Sequence, residues 1–193
     1  GAGWQEDEYA AYGYAFPSAG TRIAQLGEAI DVLRAMWGEG PATYHGAHYH
    51  VENATCEPRP EPQPPIIVGG NGAKTIAVAA RKADGWNSGL PIAPFQEKLA
   101  WLHTSLQEAG RDPTAFQTSL YCHLWLTDDT AAFTARQEEL EGADLLLLGP
   151  TPRAAFDQLR QYAELGVAHV AVKPYDLATI GRFTDEVAPE LVR

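Results

Sequence analysis

The sequence predicts an α/β fold built on parallel strands, and three observations support this fold class. After residue 64 the chain alternates between strand-like and helix-like patterns, about four times. The apolar run Ile66–Val68 leads at once into a glycine turn and a helix. The stretch Thr118–Leu126 is apolar on both alternating faces, as in a strand buried on two sides. Such alternation is typical of an open doubly wound sheet or of a barrel, and a closed (β/α)8 barrel needs eight units and about 250 residues.

The first third of the chain precedes this alternation. Thr21–Trp37 shows the three- and four-residue apolar spacing of an amphipathic helix, and a small hairpin is predicted over about 43–51. Glu57–Pro65 is proline-rich, which favours an extended lead-in to the strand that follows. We interpret residues 1–193 as a single domain with the hairpin as an insertion.

The remaining elements follow in order along the chain. The predicted strands are Gly85–Asn87, Thr118–Leu126 and Val167–Val172. The predicted helices run over about 73–83, 95–109, 129–140 and 152–165, with a last one capped by Asp176. In that last helix we expect four side chains to face inward: Leu177, Ile180, Phe183 and Val187.

Composition narrows the range of partners. The formal net charge is −11 and the isoelectric point is near 4.9, which argues against nucleic acid and anionic membrane surfaces. The sequence contains no run of about 18 apolar residues, so no transmembrane helix is predicted. The first residues lack signal-peptide features. Cys56 and Cys122 form no paired motif, so a reducing, cytoplasmic location is expected. With nucleic acid and membrane surfaces disfavoured, the expected partner is a small-molecule substrate.

The strongest chemical signal is the glycine turn at residues 69–72. It follows a buried strand and opens a helix, and glycine lets the backbone approach a ligand closely. The free N–H groups at a helix start favour phosphate, and Lys74 adds a cation in the first turn. A tight strand-to-helix turn without any ligand explains the pattern equally well.

Asn87 and Ser88 form the second signal, at the carboxyl end of a predicted strand. In a barrel this end is the active face, and both side chains can donate to phosphate or ribityl oxygens. The alternative is that they only cap the next helix.

Other polar clusters do not predict a site. His45, His48 and His50 are close in sequence, but their spacing matches no zinc pattern, so no metal is expected. No serine lies in a G-x-S-x-G elbow. The catalytic acid–base residue stays unassigned.

Several motifs together resemble the luciferase-like monooxygenase family. Each motif is a weak signal alone, but together they cover essentially the whole chain, and their order and spacing match the family. The motifs are Gly1-Ala-Gly-Trp4 with Glu6 and Glu8, Tyr12-Gly13, Arg22, the helix from Glu28 to Trp37, Gly46 with Tyr49, Pro65-Ile-Ile-Val-Gly-Gly70, Ala83-Asp-Gly-Trp-Asn87, Gly149-Pro-Thr-Pro152 and Tyr162 to Val170. The pattern most resembles the branch that uses coenzyme F-420, a 5-deazaflavin.

This resemblance implies a (β/α)8 TIM-barrel type of fold of which only the second half, about strands four to eight, is present. It implies that Gly69, Gly70, Asn71 and Gly72 bind the cofactor phosphate, with Asn87 and Ser88 beside it. Trp4 would stand near the deazaflavin or the substrate, where related sugar-phosphate dehydrogenases carry an acidic residue. A sugar-phosphate substrate is therefore not expected.

The resulting functional hypothesis is an oxidoreductase that transfers a hydride between coenzyme F-420 and a small organic substrate. An FMN-dependent monooxygenase is the alternative within the same family. A hypothesis of another class is a half-barrel without catalysis that serves as a binding or assembly protein. A partial barrel exposes sheet edges, so we expect a homodimer or dependence on the other barrel half.

Overall fold

A computed structural model describes residues 1–143 and 145–191 of the chain. The helices α1 to α8 span Glu6–Ala11, Ala19–Met36, Ala73–Lys82, Ile92–Glu108, Thr130–Glu141, Pro152–Glu164, Leu177–Arg182 and Ala188–Leu191. The strands β1 to β7 span Ala42–His45, His50–Ala54, Ile67–Gly69, Gly85–Ser88, Gln117–Leu124, Leu147–Leu148 and Val167–Pro174. None of the helices in the described parts of the chain is long and apolar enough to cross a membrane.

The chain folds as two compact units. The first contains residues 1–86 and 101–116, and the second contains residues 87–100 and the described residues from 117 onward. The chain passes between them within β4, within α4 and again at the start of β5. Each unit therefore draws on separate stretches of sequence.

In the first unit, strand β3 is hydrogen-bonded to the first half of β4. Helix α3 connects these strands and buries one face that includes Ile76, Ala79 and Ala80. The predicted hairpin is present as antiparallel β1 and β2. Its tip is held by Glu28 of α2, which accepts the backbone N–H groups of residues 47, 48 and 49 at 2.9, 2.8 and 3.0 Å.

The second unit is built around β5, which pairs in parallel with both β6 and β7. Leu120, Cys122 and Leu124 of β5 are almost fully buried on one sheet face. Tyr162 of α6 packs edge-to-face on Phe95, with ring centroids 5.1 Å apart. The parallel strands follow an open path among the described residues, so the predicted parallel α/β fold is confirmed without barrel closure.

Local capping signals place most helix starts as predicted. The side chains of Asp129, Thr151 and Asp176 accept backbone N–H groups at the starts of α5, α6 and α7. The short helix α1 and the two-residue strand β6, which lies in an apolar run, were not predicted from the sequence.

The predicted inward face of the last helix is wrong at two positions. Leu177 and Ile180 are 85% and 45% exposed, whereas Thr179 is fully buried. Thr179 and Val187 are fully buried, and the Thr179 hydroxyl accepts the backbone N–H of Leu126 at 3.2 Å. Hydrophobicity alone does not indicate this polar contact, and a π-helical turn over Phe183–Val187 further changes which side chains share a face.

Candidate functional site

The glycine turn between β3 and α3 is the best-defined candidate site in the first unit. Gly70 has a φ of +141°, a conformation that strongly favours glycine. A Cβ atom at Gly70 would lie 2.9 Å from Cγ2 of Thr75, which is closer than real Cβ contacts. The turn therefore requires glycine at this position for two independent reasons.

Helix α3 presents its amino end directly after this turn. Gly72 is the N-cap and supplies no capping side chain, and the first helical hydrogen bond is from the Ile76 N–H to the Gly72 carbonyl, at 3.0 Å. The N–H groups of residues 73–75 thus precede the first intrahelical donor. Ten residues of aligned peptide dipoles add partial positive charge at this end, and the exposed Lys74 adds a full charge.

Trp86 fixes the turn from β4. Its indole Nε1 donates to the Gly70 carbonyl oxygen at 2.8 Å, and its side chain is completely buried. A buried donor of this kind keeps the Gly70 carbonyl turned inward. From the sequence, Trp86 is predicted only to enter a strand, because nothing in the local pattern links it to a carbonyl 16 positions earlier.

The amino-terminal segment lies beside the same turn. A Cβ atom at Gly1 would lie 3.1 Å from the Gly69 carbonyl oxygen, so Gly1 packs closely on the turn. Arg22 of α2 holds this segment: it donates from Nε to the Gly3 carbonyl at 3.3 Å and from a terminal nitrogen to the Pro17 carbonyl. Its guanidinium carbon also lies 3.8 Å from the ring centroid of Phe16.

A groove of about 330 Å³ opens next to this segment. It is lined by Gly1, Arg22 and Tyr49, together with apolar side chains of α2. Trp4 does not line it: the indole is 81% exposed. The groove, the amino end of α3 and the exposed Trp4 are all part of the first unit.

Asn87 and Ser88 belong to the second unit. The Asn87 side-chain amide donates to the Ser119 hydroxyl at 2.9 Å. Ser88 is 2% exposed, and its hydroxyl accepts the backbone N–H of Leu90 at 3.4 Å. Both side chains thus take part in local hydrogen bonds at the end of β4.

One of the hairpin histidines contacts a carboxylate. His45 Nε2 lies 2.8 Å from a Glu52 carboxylate oxygen, and the His45 and His50 ring centroids are 5.9 Å apart. Within residues 1–143 and 145–191, no three His, Cys, Asp or Glu side chains are grouped so that they can hold a metal ion.

Comparisons with known proteins identify the family. The sequence profile described as luciferase-like monooxygenase matches residues 1–143. The chain is 30% identical over 207 residues to pyrimidine monooxygenase RutA of Pseudomonas syringae pv. syringae, covering 96% of the chain and 55% of that protein. It is 36% identical over 102 residues to an F-420-dependent glucose-6-phosphate dehydrogenase of Microbacterium testaceum, covering 51% of the chain and 30% of that protein.

The fold is shared with solved structures of low sequence identity. An F-420-dependent secondary alcohol dehydrogenase in complex with an F-420–acetone adduct matches with a TM-score of 0.79 and 16% identity. The match covers 93% of this chain and 64% of that one, so the chain spans only part of the length of its relatives. The predicted fold class, part of a barrel of this type, is confirmed. The chain belongs to the luciferase-like monooxygenase family.

Proposed function

We propose that this chain forms part of an oxidoreductase that transfers a hydride between coenzyme F-420 and a small organic substrate. The observation that carries the proposal is the glycine turn at the amino end of α3, in a chain of this family. Relatives named as F-420-dependent dehydrogenases support the choice of cofactor. We also propose a cytoplasmic location and assembly as a homodimer or with the other barrel half.

The residues of the turn fit a phosphate group. Space is open beside Gly69, since a Cβ atom there would meet nothing within 4 Å. Backbone N–H groups at the helix start would donate to the phosphate oxygens, and Lys74 would add a charge-assisted contact. Trp86 keeps the turn in one conformation, which reduces the entropy lost on binding.

The deazaflavin ring, when bound, supplies hydride transfer at its carbon five. The chain's own residues would hold and orient the cofactor rather than carry the redox step. The resemblance implies that Trp4 stands near the ring or the substrate, and it also assigns phosphate binding to Asn87 and Ser88. No residue is assigned as the catalytic acid or base.

A second candidate is an FMN-dependent monooxygenase. The relation to pyrimidine monooxygenases covers 96% of the chain, whereas the relation to the F-420-dependent glucose-6-phosphate dehydrogenase of Microbacterium testaceum covers 51%. Monooxygenation needs a cofactor that reacts with oxygen, and a flavin does so far more readily than a deazaflavin. This alternative predicts the same phosphate contacts and a different reaction.

Fluorescence titration of the purified chain with coenzyme F-420 and, separately, with FMN tests both candidates. Riboflavin is the matched ligand without phosphate, and we expect it to bind at least about tenfold more weakly than FMN, because charge-assisted hydrogen bonds contribute about 1.5–3 kcal/mol. Tight binding of F-420 supports the first candidate, and selective binding of FMN supports the second. If neither cofactor changes the fluorescence, both proposals are wrong for this chain.

A further inference from the structure

A groove of about 500 Å³ runs between helices α2 and α3 of the first unit. A Cβ atom at Gly27 of α2 would lie 3.9 Å from Cγ1 of Val78 in α3, and Asp31, four residues after Gly27, forms an ion pair with Lys82, four residues after Val78. The two helices therefore run side by side in the same direction, and their amino ends lie at the same end of the groove. Its volume lies within the range of about 300–1,000 Å³ that is typical of small-molecule sites.

The floor of this α2–α3 groove is apolar. It consists of Ile23 and Ala24 of α2 and Ala77 and Val78 of α3. Tyr44 of the hairpin adds an aromatic side chain to the lining. Ala24 is exposed, so the floor presents apolar surface that a ligand can remove from water.

Both carboxylates that line the groove are already engaged. Glu28 accepts the backbone N–H groups of residues 47, 48 and 49 in the hairpin. Asp31 pairs with Lys82 and also accepts the Tyr44 hydroxyl at 3.3 Å. Neither carboxylate is therefore left to neutralise the other cations of the groove.

Two further cations, Lys74 and Arg81, line the groove from α3. Within residues 1–143 and 145–191, no carboxylate lies within 4.0 Å of either charged group, and neither side chain forms a hydrogen bond. The two residues are seven positions apart, so they lie on one face of the helix, two turns and about 10 Å apart along its axis. The groove thus combines an apolar floor with two unpaired positive charges, in a chain whose net charge is −11.

We propose that the α2–α3 groove binds an elongated dianion with an apolar middle, of the class of long-chain dicarboxylates. One anionic end would pair with Lys74, where the amino ends of both helices add partial positive charge. The other end would pair with Arg81, and the apolar middle would cover the floor. An apolar monoanion would leave one cation unpaired, and a short polar dianion would leave the floor in water.

This site goes beyond the proposed function. The proposed phosphate contacts come from backbone N–H groups at the amino end of α3, whereas the groove uses the side of the helix. The two sites share only Lys74. Arg81 and the floor therefore belong to the groove alone, and changes to them test it separately.

Amide NMR titration of the full chain with decanedioate, at constant ionic strength, tests the proposal. We expect saturable shifts at the amides of α2 and α3 that line the groove. Decanoate keeps a hydrocarbon chain of the same length but has one carboxylate, and we expect it to bind about tenfold more weakly because one charge-assisted contact is lost. Succinate keeps both carboxylates but lacks six methylene groups, and we expect it also to bind at least about tenfold more weakly.

Three variants separate the charges from the floor. Arg81→Met should weaken decanedioate binding about tenfold and remove its advantage over decanoate. Ala24→Leu fills part of the groove and retains both cations; leucine is a strong helix former, so the helix is kept and both fatty-chain probes should bind more weakly. Arg153→Met removes a cation of the second unit whose side chain is 77% exposed, and should change nothing.

Three results would overturn the proposal. One is the absence of saturable shifts with decanedioate, and another is binding of decanoate or succinate as tight as that of decanedioate. The third is an effect of Arg153→Met equal to that of Arg81→Met.

The cofactor titration on the same samples distinguishes this proposal from the proposed function. If the chain binds neither F-420 nor FMN but decanedioate still binds, the proposed function fails and the groove site stands. If a cofactor binds and decanedioate does not, the proposed function stands and the groove site fails. Arg81→Met should leave cofactor binding unchanged; if it weakens cofactor and decanedioate binding equally, a separate groove site is wrong.

Discussion

Replacing Gly70 by alanine should destabilise the first unit more than replacing a glycine that has a positive φ but open space around it, such as Gly110. Backbone held in a region reserved for glycine costs about 1–3 kcal/mol, and Gly70 has a φ of +141°. The added Cβ would also lie 2.9 Å from Cγ2 of Thr75, whose side chain is only 8% exposed. Crowding in a packed region costs about 1–3 kcal/mol, so we expect a total loss of about 2–6 kcal/mol.

Three control variants separate these two costs. Gly110→Ala has a φ of +69° and open space around the new Cβ, so only backbone strain of about 1–2 kcal/mol applies. Gly181→Ala, within α7 and also open, should be neutral or stabilising by about 0.5–1 kcal/mol. Adding Thr75→Ser to Gly70→Ala removes the crowded methyl group and should recover the steric part of the loss.

Urea unfolding, monitored by tryptophan fluorescence, measures the free energy of unfolding of all four variants. One of the tryptophans, Trp86, donates a hydrogen bond to the Gly70 carbonyl. The cofactor titration of Gly70→Ala should show weakened binding even where the protein remains folded, because the backbone around the phosphate would shift. The reasoning is refuted if Gly70→Ala loses no more stability than Gly110→Ala, or if the added Thr75→Ser recovers nothing.

Three further predictions concern buried or constrained groups. Tyr162→Phe leaves the carbonyl of buried Leu90 without the hydroxyl that donates to it at 2.9 Å, and should cost about 1–3 kcal/mol in urea unfolding; an unchanged midpoint would contradict this hydrogen bond. Burial acts to raise the pKa of the Glu28 carboxyl group, but three backbone N–H donors lower it below its ordinary value. The contact of the Glu28 carboxylate with the hairpin therefore stabilises the fold fully above that ordinary value, and this stabilisation is lost as the pH falls through the lowered pKa. Amide NMR should show the hairpin loosening in acid, and Glu28→Gln should abolish this pH dependence. Burial raises the pKa of Cys122 to about 12, so half-buried Cys56 should react first with a thiol reagent, and equal rates would exclude this difference.

Signals that act over a few residues were predictable from the sequence. An Asp or Thr that caps a helix contacts an N–H only three positions later, so Thr151 and Asp176 are predictable as caps. For α5 the sequence indicates Asp128 or Asp129, and the structure shows Asp129 as the cap. The last helix shows the limit of the same approach. Its hydrophobic pattern favours Leu177 and Ile180, but the buried contact of Thr179 with Leu126 spans 53 positions and leaves no periodic signal.

The candidate site likewise has parts that the sequence predicts and parts that it does not. The glycine turn is a backbone feature, and glycine next to a helix start is visible in sequence. The contribution of Arg22 is not visible, because its acceptors are carbonyls at Gly3 and Pro17 that any residue would offer. The register of β5 and β7 is not visible either, because it pairs His123 with Lys173, 50 positions apart, and the sequence pattern alone does not define it.

The geometry of the turn depends on the packing of α3 as much as on its glycines. The helix joins Gly70 to Trp86, so the hydrogen bond between them forms only if α3 returns the chain to the correct position beside β3. The fully buried side chains of Ile76 and Ala79 fix where the helix lies, and Arg111 donates to the carbonyls of Ala80 and Ala83 at its carboxyl end at 2.8 and 2.7 Å. A substitution that displaces the far end of α3 therefore moves the amino end as well, and with it the N–H groups proposed to hold the phosphate.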